Sequence, residues 1–203
     1  MKEVKIFSPA SIANISCGFD VLGMCLDNVG DEMVIRKSHK KGVKITKITG
    51  QKLPLETSKN VAGVAAMALL DDYDQEDLGF EIEIHKKIKA GSGIGSSAAS
   101  SAGAVAGINI LLGSPYSNKE LIRFAMEGER LASGSAHADN VAPVLLGGFT
   151  LVRDSESLDI VKLNTPLEIA ATVLHPKIEV KTSDARALLK KKVPLKQAIT
   201  QWA

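Results

Sequence analysis

A short run of glycines and small residues, AGSGIGSSAAS, occupies positions 90–100. Gly91, Gly93 and Gly95 can adopt positive φ, which turns successive main-chain N–H groups towards one side, as in anion-binding loops. The run leads into a predicted helix over 96–112, whose first N–H groups are unpaired and carry the positive end of the helix dipole. Two interpretations are open: the loop binds a phosphate group, or it is a tight turn followed by a closely packed helix.

Side chains around this loop favour the phosphate interpretation. The hydroxyls of Ser96 and Ser97 fall in the first helical turn, where a hydroxyl can meet a phosphate oxygen or a magnesium ion. Lys86, Lys87 and Lys89 precede the loop, and we expect them to add positive charge beside it. The sequence therefore predicts an anionic ligand at this position.

Three familiar motifs are absent from this segment. A P-loop has the pattern GxxxxGK[ST], but no lysine follows Gly95. A dinucleotide-binding turn needs glycine at position 96, where this chain has serine, and an acidic residue about 20 positions later. The GxSxG turn of serine hydrolases is also missing. A phosphate site here is therefore of another kind.

The composition narrows the choice of partners and compartment. The 203 residues are 45% hydrophobic and 24% charged, a globular composition sufficient for one domain, or for one domain and part of another. Aromatic residues make up 4% and the net charge is +2, which argues against nucleic acid as a partner. Cys17 and Cys25 lack CxxC spacing and are typical of reduced thiols. No segment has the apolar length of a signal peptide or a membrane span, so we expect a cytoplasmic protein without a membrane partner.

Alternation of apolar and polar residues predicts the strands that position the loop. These strands are 3–7, 32–37, 42–48, 80–87, 147–154 and 167–175. Apolar periodicity and capping residues predict helices over 60–73, 96–112, 119–132 and 183–192. In the strand before the glycine loop, Phe80, Ile82 and Ile84 are predicted to face the core. Because strands and helices do not alternate regularly, we predict the α+β class.

Several segments together resemble the GHMP kinases, small-molecule kinases named for galactose, homoserine, mevalonate and phosphomevalonate. AGSGIGSSAAS is similar to the family's nucleotide loop, P-x-x-x-G-L-G-S-S-A-A, although no proline precedes the loop and Ile94 replaces the usual leucine. Within the family, the chain resembles the homoserine kinases over SPASIANISCGFDVLGMCLD, KNVAG, HADNVAPVLLGGF and VKTSDAR. These segments extend from about Pro9 to Arg186.

The resemblance also implies a domain organisation. Residues 1–163 would form the GHMP kinase N-terminal domain, with the fold of ribosomal protein S5 domain 2, and residues 164–203 would begin a truncated second α+β domain. Members of the family are longer, and their later part adds another glycine-rich motif. We therefore expect an isolated chain of this length to bind ATP weakly, to catalyse poorly and to expose apolar surface that favours self-association.

The resemblance implies ATP-dependent phosphorylation of the side-chain hydroxyl of L-homoserine, a step of threonine biosynthesis, with Mg²⁺ as cofactor. The nucleotide would contact Asn60, Val61, Lys89, Ala90, Gly91, Ser92, Gly93, Ile94, Gly95, Ser96 and Ser97. Mg²⁺ prefers oxygen ligands, which Ser97 and Glu129 would supply. The alternative for Glu129 is a solvated helix carboxylate paired with a neighbouring arginine.

The substrate residues implied by the resemblance are Asn14, Asp20, His137, Asp139, Asn140 and Arg186. Homoserine is a zwitterion, so Asp20 would bind its ammonium group and the planar guanidinium of Arg186 its carboxylate. Asn140 would orient the attacking hydroxyl, and Thr182 would lie near the reacting groups. Direct attack without a general base is implied, and Asp139 is the nearby carboxylate to test as a base. The structural alternatives are turns, a helix cap formed by HADN, and a surface arginine.

Other functions stay open at this point. Another GHMP kinase would act on mevalonate or a sugar, and a non-catalytic relative would only bind a nucleotide. A serine hydrolase could use Ser97, His137 and Asp139, although no nucleophile-elbow pattern is present. A homodimer is the default expectation for the oligomeric state.

Overall fold

The structure is a computed structural model that describes residues 1–73, 75, 77–165, 169–174, 187–188 and 192–202. In this part of the chain, six strands form one mixed sheet and helices pack against it. The α+β class predicted from the sequence is confirmed.

The strands are β1 (Glu3–Ala13), β2 (Leu22–Lys37), β3 (Gly42–Thr49), β4 (Gly79–His85), β5 (Phe149–Asp154) and β6 (Asp159–Leu163). The helices are α1 (Val61–Asp72), α2 (Ser96–Leu112), α3 (Asn118–Ser133), α4 (Ala138–Leu146) and α5 (Leu195–Trp202), and a 3₁₀ turn at Thr57–Lys59 precedes α1. The strands predicted at 3–7 and 32–37 exist, but they are only the first part of β1 and the last part of β2.

The long strand β2 organises the sheet. Its second half pairs antiparallel with β4 along one edge and with the first half of β1 along the other. Its first three residues, Leu22 to Met24, pair with β5. β3 runs parallel to β4, and β6 runs antiparallel to β5, so the order is β3-β4-β2-β5-β6 with β1 also against β2.

An irregularity in β1 connects the sheet to the glycine loop. The pairing with β2 shifts between Pro9, which lies opposite Gly30, and Ser11, which lies opposite Cys25. A proline has no N–H group to donate to a neighbouring strand, and such interruptions are typical of bulges. At this point the Ser11 N–H instead donates to the carbonyl oxygen of Ile94, at 3.2 Å.

The small residues of α2 allow this helix to lie close to the sheet. A Cβ atom at Gly103 would collide with the Met33 side chain, and one at Gly107 would collide with Ile35. Both partners are fully buried in the main hydrophobic core, which α1, α2 and α3 cover. The close-packing interpretation is therefore correct for the later part of the small-residue run.

The helix α4 was not predicted, because it is short and contains Pro143. A proline has no N–H to bond to the carbonyl four residues earlier, which here belongs to Asp139. That carbonyl faces β2, where a Cβ atom at Gly23 would overlap it. The missing helical bond and the missing side chain together let α4 lie directly against the start of β2.

The C-terminal predictions fare less well. The strand predicted over 167–175 is wrong for the described residues 169–174, which are exposed and have no regular secondary structure. Most of the helix predicted over 183–192 lies outside the described residues, while β6 and α5 were not predicted. The domain boundary after residue 163 stays a prediction. None of the described helices combines the length and hydropathy required to cross a bilayer.

Candidate active site

The glycine loop between β4 and α2 is open to solvent. Lys89, Ala90, Gly91 and Gly93 are exposed, and a Cβ atom at Gly93 would meet nothing within 4 Å. Gly91, Gly93 and Gly95 have φ values of 74°, 76° and 67°, so the predicted positive φ is confirmed at all three. The exposed part of the loop is therefore not packed flat against an apolar surface.

The start of α2 adds unpaired hydrogen-bond donors to this loop. Gly95 is the N-cap residue and, having no side chain, provides no capping hydrogen bond to the first turn. The Ser92 hydroxyl is buried and has no hydrogen-bond partner among the described residues. Buried polar groups are normally paired, so an unpaired hydroxyl beside an uncapped helix N-terminus indicates a place for a polar ligand.

Lys86 does not face this loop, and the expectation that it adds charge there is wrong. Its side chain is 1% exposed, and its ammonium group is ion-paired to the buried carboxylate of Asp31. The same ammonium donates to the Ser96 carbonyl and to the Ser100 hydroxyl, each at 3.0 Å. Burial lowers the pKa of Lys86, and the charge and hydrogen bond of Asp31 act in the opposite direction. Lys86 thus binds the first turn of α2 from the buried side of the helix.

The carboxylate of Asp31 also holds the entry to the loop. Its Oδ1 accepts hydrogen bonds from the main-chain N–H groups of Lys87 and Ile88, at 2.7 and 2.9 Å. Gln51 adds a second anchor, because its amide donates to the Ile88 carbonyl and accepts from the Ala90 N–H, at 2.7 and 2.8 Å. Sequence reasoning missed Asp31 and Gln51, since nothing in their local sequence indicates that they lie beneath the loop.

The other two lysines remain at the surface. Lys87 is ion-paired to Glu32 at 2.5 Å, and this contact lowers the pKa of the Glu32 carboxyl. Lys89 is exposed within the loop itself. Of the three lysines, Lys89 is therefore the one placed to meet an anion bound by the loop.

Glu129 and Ser97, the predicted Mg²⁺ ligands, lie together. Glu129 projects from α3, is 8% exposed, and its Oε1 has no hydrogen-bond partner among the described residues. Burial raises the pKa of the Glu129 carboxyl to about 7, the charge of Asp139 acts in the same direction, and a hydrogen bond from Ser97 opposes them. A buried carboxylate oxygen without a partner at the start of α2 suits a bound cation, and the solvated alternative for Glu129 is wrong.

The Glu129–Ser97 pair would be only part of a cation's coordination shell. The described residues contain no cluster of three or more His, Cys, Asp or Glu side chains arranged to hold a metal. Mg²⁺ commonly takes one or two protein oxygens and completes its shell with phosphate oxygens and water. Ser97 and Glu129 fit that requirement.

Three further predicted residues gather beside this pair. His137 Nδ1 lies 3.9 Å from Asp20 Oδ2, while His137 Nε2 and Asp139 Oδ1 are buried without hydrogen-bond partners among the described residues. Burial raises the pKa of the Asp139 carboxyl, the charge of Asp20 adds to this, and His137 opposes it. A group of two carboxylates and an imidazole therefore lies near the Glu129 carboxylate.

Asp20 lies in the loop between β1 and β2, where the backbone is strained. Asn14, Ile15, Ser16 and Asp20 all have positive φ, an uncommon conformation for residues other than glycine. The Asn14 side-chain oxygen accepts a hydrogen bond from the Asp20 N–H at 2.9 Å. Asn14 thus acts as a turn residue, as the structural alternative predicted, and its position also brings it beside Asp20. Strain of this kind is concentrated at functional sites in proteins.

Asn140 faces the loop from the first turn of α4. Its side-chain oxygen accepts a hydrogen bond from the Ser11 hydroxyl at 3.0 Å. Ser11 is fully buried and also bonds to the Ile94 carbonyl, so it lies between the loop and Asn140. Sequence reasoning missed Ser11, although it lies within one of the segments that carry the family resemblance.

Asn60 and Val61 lie at the start of α1. The Asn60 side chain accepts from the Ala62 N–H at 3.0 Å and donates to the Pro54 carbonyl at 2.8 Å, so both of its polar ends are engaged within the protein. Their contact with a nucleotide stays a prediction. Thr182 and Arg186 lie outside the described residues, so their predicted roles also stay open.

Comparison with known proteins gives consistent results. The family described as "GHMP kinases N terminal domain" matches residues 60–148. The homoserine kinase of Chloroherpeton thalassium is 43% identical over 213 residues, covering 100% of this chain and 67% of the relative. The homoserine kinase of Methanococcus vannielii is 42% identical, covering 98% of this chain and 66% of the relative.

Solved structures agree with these relatives. The crystal structure of homoserine kinase from Cytophaga hutchinsonii superimposes with a TM-score of 0.93 at 52% identity, and the match covers 100% of this chain and 64% of that one. The mevalonate kinase of Methanococcus jannaschii has a TM-score of 0.63 at 17% identity, covering 80% of this chain and 56% of that one, which shows a shared fold.

The fold and the glycine loop define the N-terminal domain of a GHMP kinase. This chain spans about two-thirds of the length of curated relatives that match it from end to end. At 41–43% identity over its whole length, the chain belongs to the homoserine kinase family.

Proposed function

We propose that the protein transfers the γ-phosphoryl group of ATP to the side-chain hydroxyl of L-homoserine, forming ADP and O-phospho-L-homoserine. The observation that carries this proposal is the buried, unpaired carboxylate oxygen of Glu129, which lies beside Ser97 at the start of α2. A buried carboxylate with one unpaired oxygen destabilises the fold unless a cation binds there, so its presence supports a site for Mg·ATP.

The glycine loop binds the triphosphate in this proposal. Main-chain N–H groups of the loop and of the first turn of α2 donate to phosphate oxygens, apart from that of Ser92, which bonds to the Lys89 carbonyl, and the exposed Lys89 adds positive charge. Ser97 and Glu129 would hold Mg²⁺, which would supply positive charge to neutralise the phosphate oxygens. Phosphoryl transfer requires mainly such positioning and neutralisation, and little covalent chemistry from the protein.

The pocket beside the loop binds the amino acid. Asp20 pairs with the substrate ammonium group, and His137 lies next to Asp20 at 3.9 Å. By family resemblance, Arg186 would bind the substrate carboxylate and Thr182 would contribute near the transferred group. Asn140 directs the hydroxyl at the γ-phosphorus. The hydroxyl oxygen forms the new P–O bond, the bond from the γ-phosphorus to the bridging oxygen breaks and that oxygen leaves with ADP, and the hydroxyl proton passes through a phosphate oxygen to water. Asp139 contributes negative charge but does not act as a base.

The product places the enzyme in a biosynthetic route. Phosphorylation converts a hydroxyl, which is a poor leaving group, into a phosphate ester that a later step can eliminate. We accordingly propose a role in threonine biosynthesis in the cytoplasm.

An acceptor panel tests this function. ADP release from Mg·ATP is measured with homoserine, mevalonate, galactose or no acceptor, with the Cytophaga hutchinsonii homoserine kinase as positive control. Among these acceptors, we expect only homoserine to cause ADP release above the level without acceptor. Equal release with mevalonate or galactose would contradict the substrate assignment, and no release while the control is active would contradict kinase activity in this chain.

Two matched variants refine the same assay. Asp20→Asn removes the charge proposed to bind the ammonium group and should raise the KM for homoserine by about tenfold or more, with the KM for ATP nearly unchanged. Asp27→Asn makes the same chemical change at an exposed position of β2 and should leave both values unchanged. Equal effects of the two variants would contradict the role of Asp20.

A further inference from the structure

Ser11 occupies a position that no part of the proposed function yet uses. It is fully buried at the irregularity of β1, where the strand's pairing with β2 shifts. Its N–H donates to the Ile94 carbonyl at 3.2 Å, and its hydroxyl donates to Asn140 Oδ1 at 3.0 Å. One residue of the sheet therefore bonds to the glycine loop with its main chain and to α4 with its side chain.

Gly95 makes this arrangement possible. A Cβ atom at position 95 would overlap the Ser11 hydroxyl and would lie 3.2 Å from Asn140 Oδ1. Gly93 has a similar φ, but a Cβ atom there would meet nothing within 4 Å. Of these two glycines, Gly95 alone is therefore needed for a close approach as well as for its backbone conformation, and that approach is to Ser11.

In the structure, the hydrogen bond from Ser11 engages the oxygen end of the Asn140 amide. An asparagine amide presents an acceptor oxygen and a donor NH₂ group of nearly equal size, so rotation about its last bond exchanges the two. Since Oδ1 is engaged by Ser11, Nδ2 is the group left to donate. The Nδ2 group can donate a hydrogen bond to one lone pair of the substrate hydroxyl oxygen. The other lone pair of that oxygen then stays free to attack the phosphorus.

We infer that Ser11 is a positioning residue that fixes the orientation of the Asn140 amide relative to the glycine loop. The inference rests on the proposed function, in which Asn140 directs the substrate hydroxyl and the loop binds the triphosphate. Ser11 touches neither substrate. Instead, Ser11 bonds to the glycine loop and to Asn140, which contact the two substrates. The distance between the Asn140 amide and the bound phosphate is thereby kept constant during transfer.

Ser8 provides a matched control on the same strand. It is 2% exposed, and its hydroxyl donates to the Ala99 carbonyl of α2 at 2.6 Å. Ser8→Ala and Ser11→Ala each remove one buried hydroxyl between β1 and a helix, so both should lower the midpoint of urea unfolding by comparable amounts. They differ in that the Ser11 hydroxyl alone is bonded to Asn140.

The kinetic test uses the ADP-release assay on the full chain. Ser11→Ala should lower kcat with homoserine by about tenfold, the equivalent of one lost orienting hydrogen bond, with both KM values within about twofold. Ser8→Ala should keep kcat within about twofold. In an Asn140→Ala background, Ser11→Ala should have almost no further effect, because the amide that it orients is gone. Wild-type kcat in Ser11→Ala, or losses that multiply in the double variant, would overturn the inference.

A second readout separates this inference from the proposed function. In protein labelled with ¹⁵N-asparagine, the Asn140 side-chain NH₂ signals are assigned by their disappearance in Asn140→Ala. These signals should shift in Ser11→Ala and stay in place in Ser8→Ala. This result does not depend on turnover: if homoserine is not phosphorylated, the proposed function fails while the Ser11–Asn140 coupling is still decided. Unshifted signals in Ser11→Ala would overturn the coupling.

Discussion

Replacement of Glu129 by glutamine should stabilise the metal-free protein at pH 8. Glu129 is 8% exposed, its Oε1 has no hydrogen-bond partner among the described residues, and burial raises the pKa of its carboxyl to about 7. In the unfolded chain the same carboxyl has its ordinary pKa of 4.5. Folding therefore opposes ionisation of this group, and a neutral amide of the same shape escapes that cost.

The sign and size of the effect follow from the two pKa values. Below about pH 4.5 the carboxyl is protonated in both states, so it contributes no penalty. Between pH 4.5 and about pH 7 the unfolded chain ionises first, and the free energy of unfolding falls as pH rises. Above pH 7 the full penalty is about 3 kcal/mol, because each pKa unit corresponds to about 1.36 kcal/mol.

Urea unfolding at pH 5 and pH 8, with EDTA and with Mg²⁺, measures this effect. Without metal, Glu129→Gln should exceed the wild-type free energy of unfolding by about 3 kcal/mol at pH 8 and by much less at pH 5. Mg²⁺ with a nucleotide should narrow the difference at pH 8, since a cation compensates the buried charge. Glu127→Gln should show no such pH dependence, because the Glu127 side chain is 40% exposed and pairs with Arg130 on the same helix.

Two results would refute this reasoning. The first is a Glu129→Gln variant that is less stable than the wild type at pH 8 without metal. The second is a stability difference of equal size at both pH values, which would show that the carboxylate carries no ionisation penalty in the fold.

Three other changes have defined outcomes. Asp31→Asn removes one charge of the buried pair with Lys86 and should lower the free energy of unfolding by about 3–5 kcal/mol in urea titrations; a loss below about 1 kcal/mol would show that the pair is dispensable. Gly95→Ala should weaken ATP binding, measured with a fluorescent nucleotide, by at least about tenfold more than Gly93→Ala, and equal losses would mean that crowding against β1 is irrelevant. Asp139→Asn should keep turnover within about tenfold of the wild type, whereas a loss of about 100-fold or more at unchanged KM for homoserine would favour proton abstraction by this carboxylate.

Local sequence patterns were enough to predict several elements that lead to the site. The alternation of Phe80, Ile82 and Ile84 predicts the buried face of β4, and all three are buried. The glycines and small residues predict the start and end of α2 correctly. These elements are determined by the pattern of their own residues, so no knowledge of distant contacts was required.

Other features depend on contacts between distant residues and could not be predicted. The burial of Lys86 follows from the pairing of β2 with β4, which brings Asp31 close to it. Helix α4 forms despite Pro143 because the start of β2 lies against it. A single sequence does not give strand pairing or helix packing, so an apparently free lysine and an apparently irregular segment were both misjudged.

The candidate site was predicted unevenly for the same reason. Family resemblance identified Ser97 and Glu129, which the structure brings together, and Asp20 and His137, which lie 3.9 Å apart. Ser11 was missed because its role depends on a shifted strand register and on the absence of a side chain at Gly95. Residues proposed to contact a ligand can be recognised in a sequence by their residue type. Residues that position those side chains can be recognised only from the geometry of the folded chain.

Identification of the product by ³¹P NMR tests the central claim most directly. Purified protein is incubated with Mg·ATP and L-homoserine, and the phosphorus signals are followed over time. We predict that the γ-phosphate signal of ATP is replaced by that of a phosphate monoester on the homoserine side-chain oxygen, together with ADP. ATP that remains intact, or that yields only ADP and inorganic phosphate at the same rate with and without homoserine, would contradict the claim.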